Sequence, residues 1–249
     1  LTGPSTGTGS FKGIYRSFDS GENFGAKANT PNILGYENDG MDNKNQAWYD
    51  LAIAVRPTDE ADIFTGGINM WKSEDWGGTM TNVTQWRDDL GSTTSYCHAD
   101  IHNVDFSPVD GSLYVCSDGG LYRSTNSGTS FTKLSSGMCM MQFYDIADYE
   151  GNSNHLIGGT QDNGCNYKNT STNTWNHIEG ADGSDAMIDH TTSSTLYLTM
   201  NSSLHKSTNS GASVTDISPT YSGWANLDMD AGNSSRIYAG YSEIYRSEN

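Results

Sequence analysis

The chain has 249 residues, with 13 Lys+Arg against 30 Asp+Glu, a formal net charge of −17, and 28 glycines. So few cations leave no basic cluster to neutralise phosphates, which excludes nucleic acid as a partner, and no apolar run reaches the roughly 18–20 residues of a membrane helix. The 6 Trp, 14 Tyr and 7 Phe supply the large buriable rings that a disordered chain lacks.

In chain order, the first recurring unit is a short strand followed by a polar turn and an aromatic residue: Ile14, Tyr15 and Arg16 lead to Ser17, Asp19, Gly21 and Phe24. Tyr49–Val55 and Ile63–Gly67 then read as two apolar strands. After them Met70 to Gly78 gives a distorted copy of the turn around Ser73, Asp75 and Gly77. Ile101–Phe106 and Leu113–Gly120 repeat the strand pair and precede Ser124, Asn126, Gly128 and Phe131. Phe143–Ala147 and Leu156–Gly159 precede a degenerate copy ending near Trp175. Ala186–Asp189 and Leu196–Leu198 precede Ser207, Asn209, Gly211 and Val214, and Leu227–Met229 and Ile237–Gly240 precede a last copy opening at Ser247.

The repeat serines at 17, 73, 124, 207 and 247 lie 56, 51, 83 and 40 residues apart, the 83 spanning two units. Roughly 40–50 residues holding about four short strands is the size of a propeller blade. No stretch carries a sustained 3.6-residue apolar period that would make a helix. The predicted fold class is therefore all-β, a β-propeller of four-stranded blades. The end of one blade falls at 1–35, blades fall at about 47–90, 96–136, 141–180 and 184–218, and an incomplete blade falls at 223–249. Leu1 to Pro4 lacks the basic start and apolar core of a signal peptide. Together with the interrupted last repeat, this leads us to expect a segment of a longer chain or surface assembly.

The turn residues resemble the Asp-box (BNR) repeat, Ser-x-Asp-x-Gly-x-x-Trp/Phe. Ser17 to Phe24 matches it fully, and the copies at Ser124 and Ser207 carry Asn in place of Asp. The resemblance implies a structural hairpin clasp whose aromatic plugs the gap between sheets. Four further stretches are similar to sortilin-type propellers of secreted bacterial proteins, many of them Bacteroidetes surface proteins: His98 to His102, Ser117 to Gly120, Gly159 to Gly164 and Gly180 to Gly183. That likeness, with the acidic, Lys-poor composition, implies an extracellular or cell-surface module. Its ligand would be a protein or a glycan, as in an adhesin. The alternative it implies is an Asp-box glycoside hydrolase acting on a polysaccharide.

Several constellations are candidates for chemistry. His98, Asp100 and His102 alternate, so on one strand all three side chains leave the same face and converge on a metal ion. A structural divalent cation such as calcium is the only cofactor expected. Asp118, Gln161, Asp162, Asn163, Asp182 and Asp185 fall in or beside blade loops at the channel mouth. There, carboxylates and amides suit sugar hydroxyls or calcium. A glycosidase needs two carboxylates about 5–9 Å apart, and no spacing among Asp100, Asp118, Asp162, Asp182 and Asp185 marks such a pair. Trp76 and Trp86, near a repeat loop, are candidates for stacking on sugar rings. The four cysteines, Cys97, Cys116, Cys139 and Cys165, form no CxxC pair, which leaves both free thiols and disulfides open. Cys139, within Met138 to Met141, is expected in the core.

Overall fold

The computed structural model describes residues 11–87, 95–169, 171–220 and 223–248. Among them every regular element is a β-strand, and no helix is long and apolar enough to cross a membrane. The chain divides into two compact units, Leu1–Met140 and Met141–Asn249.

In the first unit, β1 (Tyr15–Arg16) and β2 (Gly25–Ala26) form a hairpin. β3 (Ala52–Arg56), β4 (Asp59–Gly66), β5 (Met70–Ser73) and β6 (Thr81–Asn82) follow as an antiparallel sheet in sequence order. β7 (Thr84–Gln85) and β8 (Ser95–Tyr96) pair in parallel. β9 (Ile101–Phe106), β10 (Leu113–Ser117), β11 (Gly120–Ser124) and β12 (Thr132–Lys133) repeat the four-stranded meander.

The second unit contains the same meander twice. β13 (Phe143–Tyr149), β14 (Asn152–Thr160), β15 (Gly164–Asn169) and β16 (Thr174–Glu179) form one sheet. β17 (Gly183–Ile188), β18 (Leu196–Met200), β19 (Ser203–Ser207) and β20 (Thr215–Asp216) form the other. A three-stranded sheet of β21 (Asn226–Met229), β22 (Ile237–Gly240) and β23 (Ile244–Ser247) ends the described chain.

Successive sheets meet through their first strands: β3 against β9 in the first unit, β13 against β17 and β17 against β21 in the second. Sheets stacked in this way are propeller blades, because each buries its faces only against its neighbours. The core follows from the period-2 pattern of the strands. In the first unit Phe64, Met70, Ile101, Val104, Leu113, Val115 and Tyr122 fill the space between two sheets. Ile157, Tyr167, Leu196 and Leu198 do so in the second. Each such side chain, fully buried, contributes roughly 1.5–3 kcal/mol.

The repeated turn has one geometry. Ser124 Oγ accepts the N–H groups of Asn126 (3.4 Å) and Gly128 (2.9 Å) and donates to Asn126 Oδ1 (2.9 Å), which also accepts the Ser130 N–H (2.9 Å). Ser17, Ser73 and Ser207 make the equivalent bonds to Asp19, Asp75 and Asn209, and to Gly21, Gly77 and Gly211. Each turn passes through two positive-φ residues, such as Ser127 (58°) and Gly128 (80°). A Cβ on Gly128 would stand 2.6 Å from Phe64 of the preceding sheet, and one on Gly211 2.8 Å from Ile178. The glycine thus supplies both the left-handed backbone and the close approach between sheets.

Two expectations about packing are corrected. Phe24 does not plug a gap between sheets: it is 64% exposed, because β1–β2 is a bare hairpin among the described residues, whereas Phe131 packs against the core of its own unit. Cys139 is exposed rather than buried, since Met138 to Met141 form an irregular connection with its apolar side chains exposed. All four cysteines are free, and Cys97 and Cys165 are the buried ones.

Candidate functional site

In the second unit, the loop between β14 and β15 carries Gln161, Asp162 and Asn163. Its conformation is set locally. Gln161 N–H donates to Gln142 O (3.0 Å), Asp162 takes φ 58°, and Asn163 Nδ2 donates to Gln161 O (3.1 Å). Asp162 N–H donates to Asp182 Oδ1 (3.0 Å) and Gly164 N–H to Ala181 O (2.7 Å), which ties this loop to the one before β17. Gln161, Asp162, Asn163 and Asp182 are all half-buried, and Gln161 Oε1 accepts the Tyr144 hydroxyl (3.0 Å). The Tyr144 ring meets Trp224 edge to face, centroids 5.2 Å apart at 88°, with the two residues 47% and 52% exposed. Partial burial, then the negative charges of Asp182 and Asp162, push the Tyr144 phenol up, so at neutral pH it remains a donor.

The result is a ledge of two exposed aromatic faces beside an amide and two carboxylates. Tyr144 and Trp224 escape sequence reading because neither belongs to the repeated turn. Asp185 is not part of this ledge. Its Oδ2 accepts the Leu227 N–H (2.7 Å) and its carboxyl faces Asp145, so it links the first strands of three successive sheets.

The first unit holds a second cluster. Asp118 Oδ2 accepts the Tyr49 hydroxyl (2.8 Å), and Asp118 Oδ1 lies 2.8 Å from His102 Nε2. Tyr49 packs its ring edge to face with His102 at 4.8 Å. Asp100 Oδ1 accepts Gln46 Nε2 (2.8 Å), and carboxylate oxygens of Asp100 and Asp118 lie within 4.8 Å of each other. Behind them Asp50 is 1% exposed and faces Asp100, and neither of its oxygens meets a hydrogen-bond donor among the described residues. Burial, then the negative charge of Asp100, pushes the Asp50 carboxyl up to about 8. One proton held between the two carboxyls satisfies both.

The expected single-face alternation of His98, Asp100 and His102 is not found. β9 begins at Ile101, Asp100 sits at φ 63°, and the register of β9 on β10 shifts between Cys116 and Ser117, leaving His102 as the bulged residue. His98 Nδ1 stays near its neighbour's carbonyl (Ala99 O, 3.2 Å) while His102 is turned to Asp118. Sequence reading missed Gln46, Tyr49 and Asp50. A signal existed for Asp50, since both Asp50 and Asp100 stand just before the first strand of a sheet. Of the tryptophans expected to stack on sugars, Trp86 donates Nε1–H to Tyr36 O (2.9 Å), and Trp76 occupies a positive-φ position of its turn (59°).

No family model and no curated protein matches the chain. Among solved structures it is similar to a GH74 enzyme from Niastella koreensis, at 19% identity and TM-score 0.39 over 94% of this chain and 41% of that one. It is also similar to a GH74 xyloglucanase from Xanthomonas campestris, at 17% identity and TM-score 0.40 over 94% and 40%. A third similar structure is YCF48 bound to D1 peptide, at 11% identity and TM-score 0.35 over 93% and 70%. The chain thus spans about two fifths of the length of the two GH74 structures.

Proposed function

We propose that this chain is a non-enzymatic binding module of an extracellular or cell-surface protein, built from Asp-box blades, and that its ligand is a glycan held on the Tyr144–Trp224 ledge. The observation that carries this reading is the pair of exposed, mutually fixed aromatic rings beside Gln161, Asp162 and Asp182. The C–H face of a pyranose ring stacks on such aromatics, and carboxylate and amide oxygens accept hydrogen bonds from neighbouring hydroxyls. An acidic surface with these groups favours neutral sugars over anionic ones. The extracellular placement is supported by the composition.

Hydrolysis is the weaker reading. Asp50 carries a proton near neutral pH as a general acid must, but at 1% exposed it cannot reach a glycosidic oxygen. The test is affinity electrophoresis and calorimetry against a panel of soluble neutral polysaccharides, β-glucans and xyloglucan included. Binding to at least one is expected, weakened about tenfold or more by Trp224→Ala or Tyr144→Ala, the loss typical of a stacking contact worth about 1.4 kcal/mol. Absence of binding across the panel overturns the proposal. Release of reducing ends, abolished by Asp162→Asn or Asp182→Asn, replaces it with a hydrolase.

A further inference from the structure

In the first unit, residues 46–50 form a tight turn shortly before β3, in which the Gln46 carbonyl accepts the N–H groups of Tyr49 (2.7 Å) and Asp50 (3.0 Å). The turn is braced by its neighbours. Ala47 and Leu51 pack against a core cluster of the unit. Gln46 Oε1 accepts the Tyr36 hydroxyl (3.1 Å), and Gln46 Nε2 donates to Asp100 Oδ1 (2.8 Å). With these three residues engaged, Trp48 stands outward, 76% exposed, more than any other tryptophan of the chain. Its ring lies 5.6 Å from that of Tyr49 at 46°, and Tyr49 is fixed by its hydroxyl on Asp118 and its edge on His102. Packing does not account for this placement, because an indole that buries so little surface gains little from the hydrophobic effect.

The arrangement repeats the ledge of the second unit. There Tyr144 meets Trp224 and donates to Gln161, the first residue after β14. Here Tyr49 meets Trp48 and donates to Asp118, the first residue after β10. β10 and β14 are each the second strand of a four-stranded meander. Each unit thus sets a Trp–Tyr pair beside the turn between second and third strands, with an amide and carboxylates next to it, which in the first unit are Gln46, Asp100 and Asp118.

We infer that Trp48 and Tyr49 form a second binding ledge for the same class of ligand, a neutral glycan, an inference that rests on the reading of the Tyr144–Trp224 ledge. A sugar ring stacks its C–H face on the Trp48 indole, and carboxylate oxygens of Asp100 and Asp118 accept hydroxyls at its rim. The same carboxylates repel uronate or sulfate groups, so the ligand is uncharged. This ledge is the weaker of the two, because both Asp118 oxygens are already engaged by Tyr49 and His102, and Tyr49 is less exposed (39%) than Tyr144 (47%). Trp224→Ala therefore leaves a chain that binds through the weaker ledge alone.

The test labels the indole nitrogens for nuclear magnetic resonance, so that each tryptophan gives its own signal, and titrates the chain with short cello-, manno- and xyloglucan oligosaccharides. Trp48→Ala and Trp224→Ala assign the two signals by their loss. The Trp224 signal should move first, and the Trp48 signal at about ten times the oligosaccharide concentration. In Trp224→Ala the Trp48 signal should still move. In Trp48→Ala, whose melting midpoint should match the parent's because so little is buried, the Trp224 response should be unchanged. A Trp224 response beside a still Trp48 signal overturns this inference and leaves the Tyr144–Trp224 ledge standing. A Trp48 response that disappears in Trp224→Ala also overturns it, since one site would then move both signals. No response from either ring removes both ledges.

Discussion

At the residue scale, the repeated turn shows how one geometry is reached by two chemistries. Asp19 accepts a hydrogen bond from Asn23 Nδ2 (2.7 Å), four residues on. Where the turn carries Asn, the direction reverses: Asn126 donates to Ser130 Oγ (2.8 Å) and Asn209 to Ser213 Oγ (2.9 Å). The charged version is pH-sensitive. The Thr79 N–H and the Ser73 hydroxyl hold Asp75 down to about 2, below the value near 3.9 of an unfolded Asp. Its contribution is present above about pH 4 and lost as pH falls through about 2. Urea midpoints measured between pH 4 and 2 should therefore fall less steeply for Asp75→Asn than for the parent chain. Parallel curves would show that the bonds in this turn carry no linkage. The glycine of the turn separates strain from crowding. Gly128→Ala meets both a φ of 80° and the Phe64 ring, and should cost about 2–4 kcal/mol. Gly21→Ala, with open space around it, should cost only the backbone strain of about 1–2 kcal/mol. Equal losses in denaturant titrations would contradict the packing role.

At the element scale, first strands hold the sheets of the second unit in line, and Asp185 fastens them. Its carboxyl accepts the Leu227 N–H of β21 while facing Asp145 of β13. Burial, offset in part by that hydrogen bond, leaves Asp185 at about 6. A value raised above that of the unfolded chain means its stabilisation is full below about pH 4 and declines as pH rises through about 6. Asp185→Asn keeps an acceptor for Leu227 and removes the charge, so it should be neutral or stabilising at pH 7 and flatten this decline. Asp185→Ala leaves the N–H without its acceptor and should lose about 1–3 kcal/mol. If both variants behave alike in thermal melts, the hydrogen bond is not what matters.

At the scale of the whole molecule, the fold was legible because the same strand pair and turn recur, and short β-branched runs between Gly, Asn and Ser turns leave little alternative to blades. The loop chemistry was half legible. Gln161, Asp162, Asn163 and Asp182 stand out as polar loop residues and do come together, whereas Asp185, two positions into β17, points to the next sheet. Alternation failed at 98–102 because a positive φ and a bulge replaced the extended backbone that the pattern assumes. Tyr49 and Asp50 open the expected strand Tyr49–Val55, but β3 begins only at Ala52, which leaves both in the connection before it, and the pairing of Tyr144 with Trp224, 80 positions later, depends on packing that no local pattern encodes. The clasp residues hold the blades, and the candidate chemistry lies in loops and first strands beyond them. The most direct measurement of that division is calorimetric titration of the parent chain, Trp224→Ala and the turn variant Asn209→Asp with the polysaccharide that the panel identifies. Affinity should drop about tenfold or more in Trp224→Ala and stay unchanged in Asn209→Asp. Equal affinity in all three would contradict the placement of binding on the ledge.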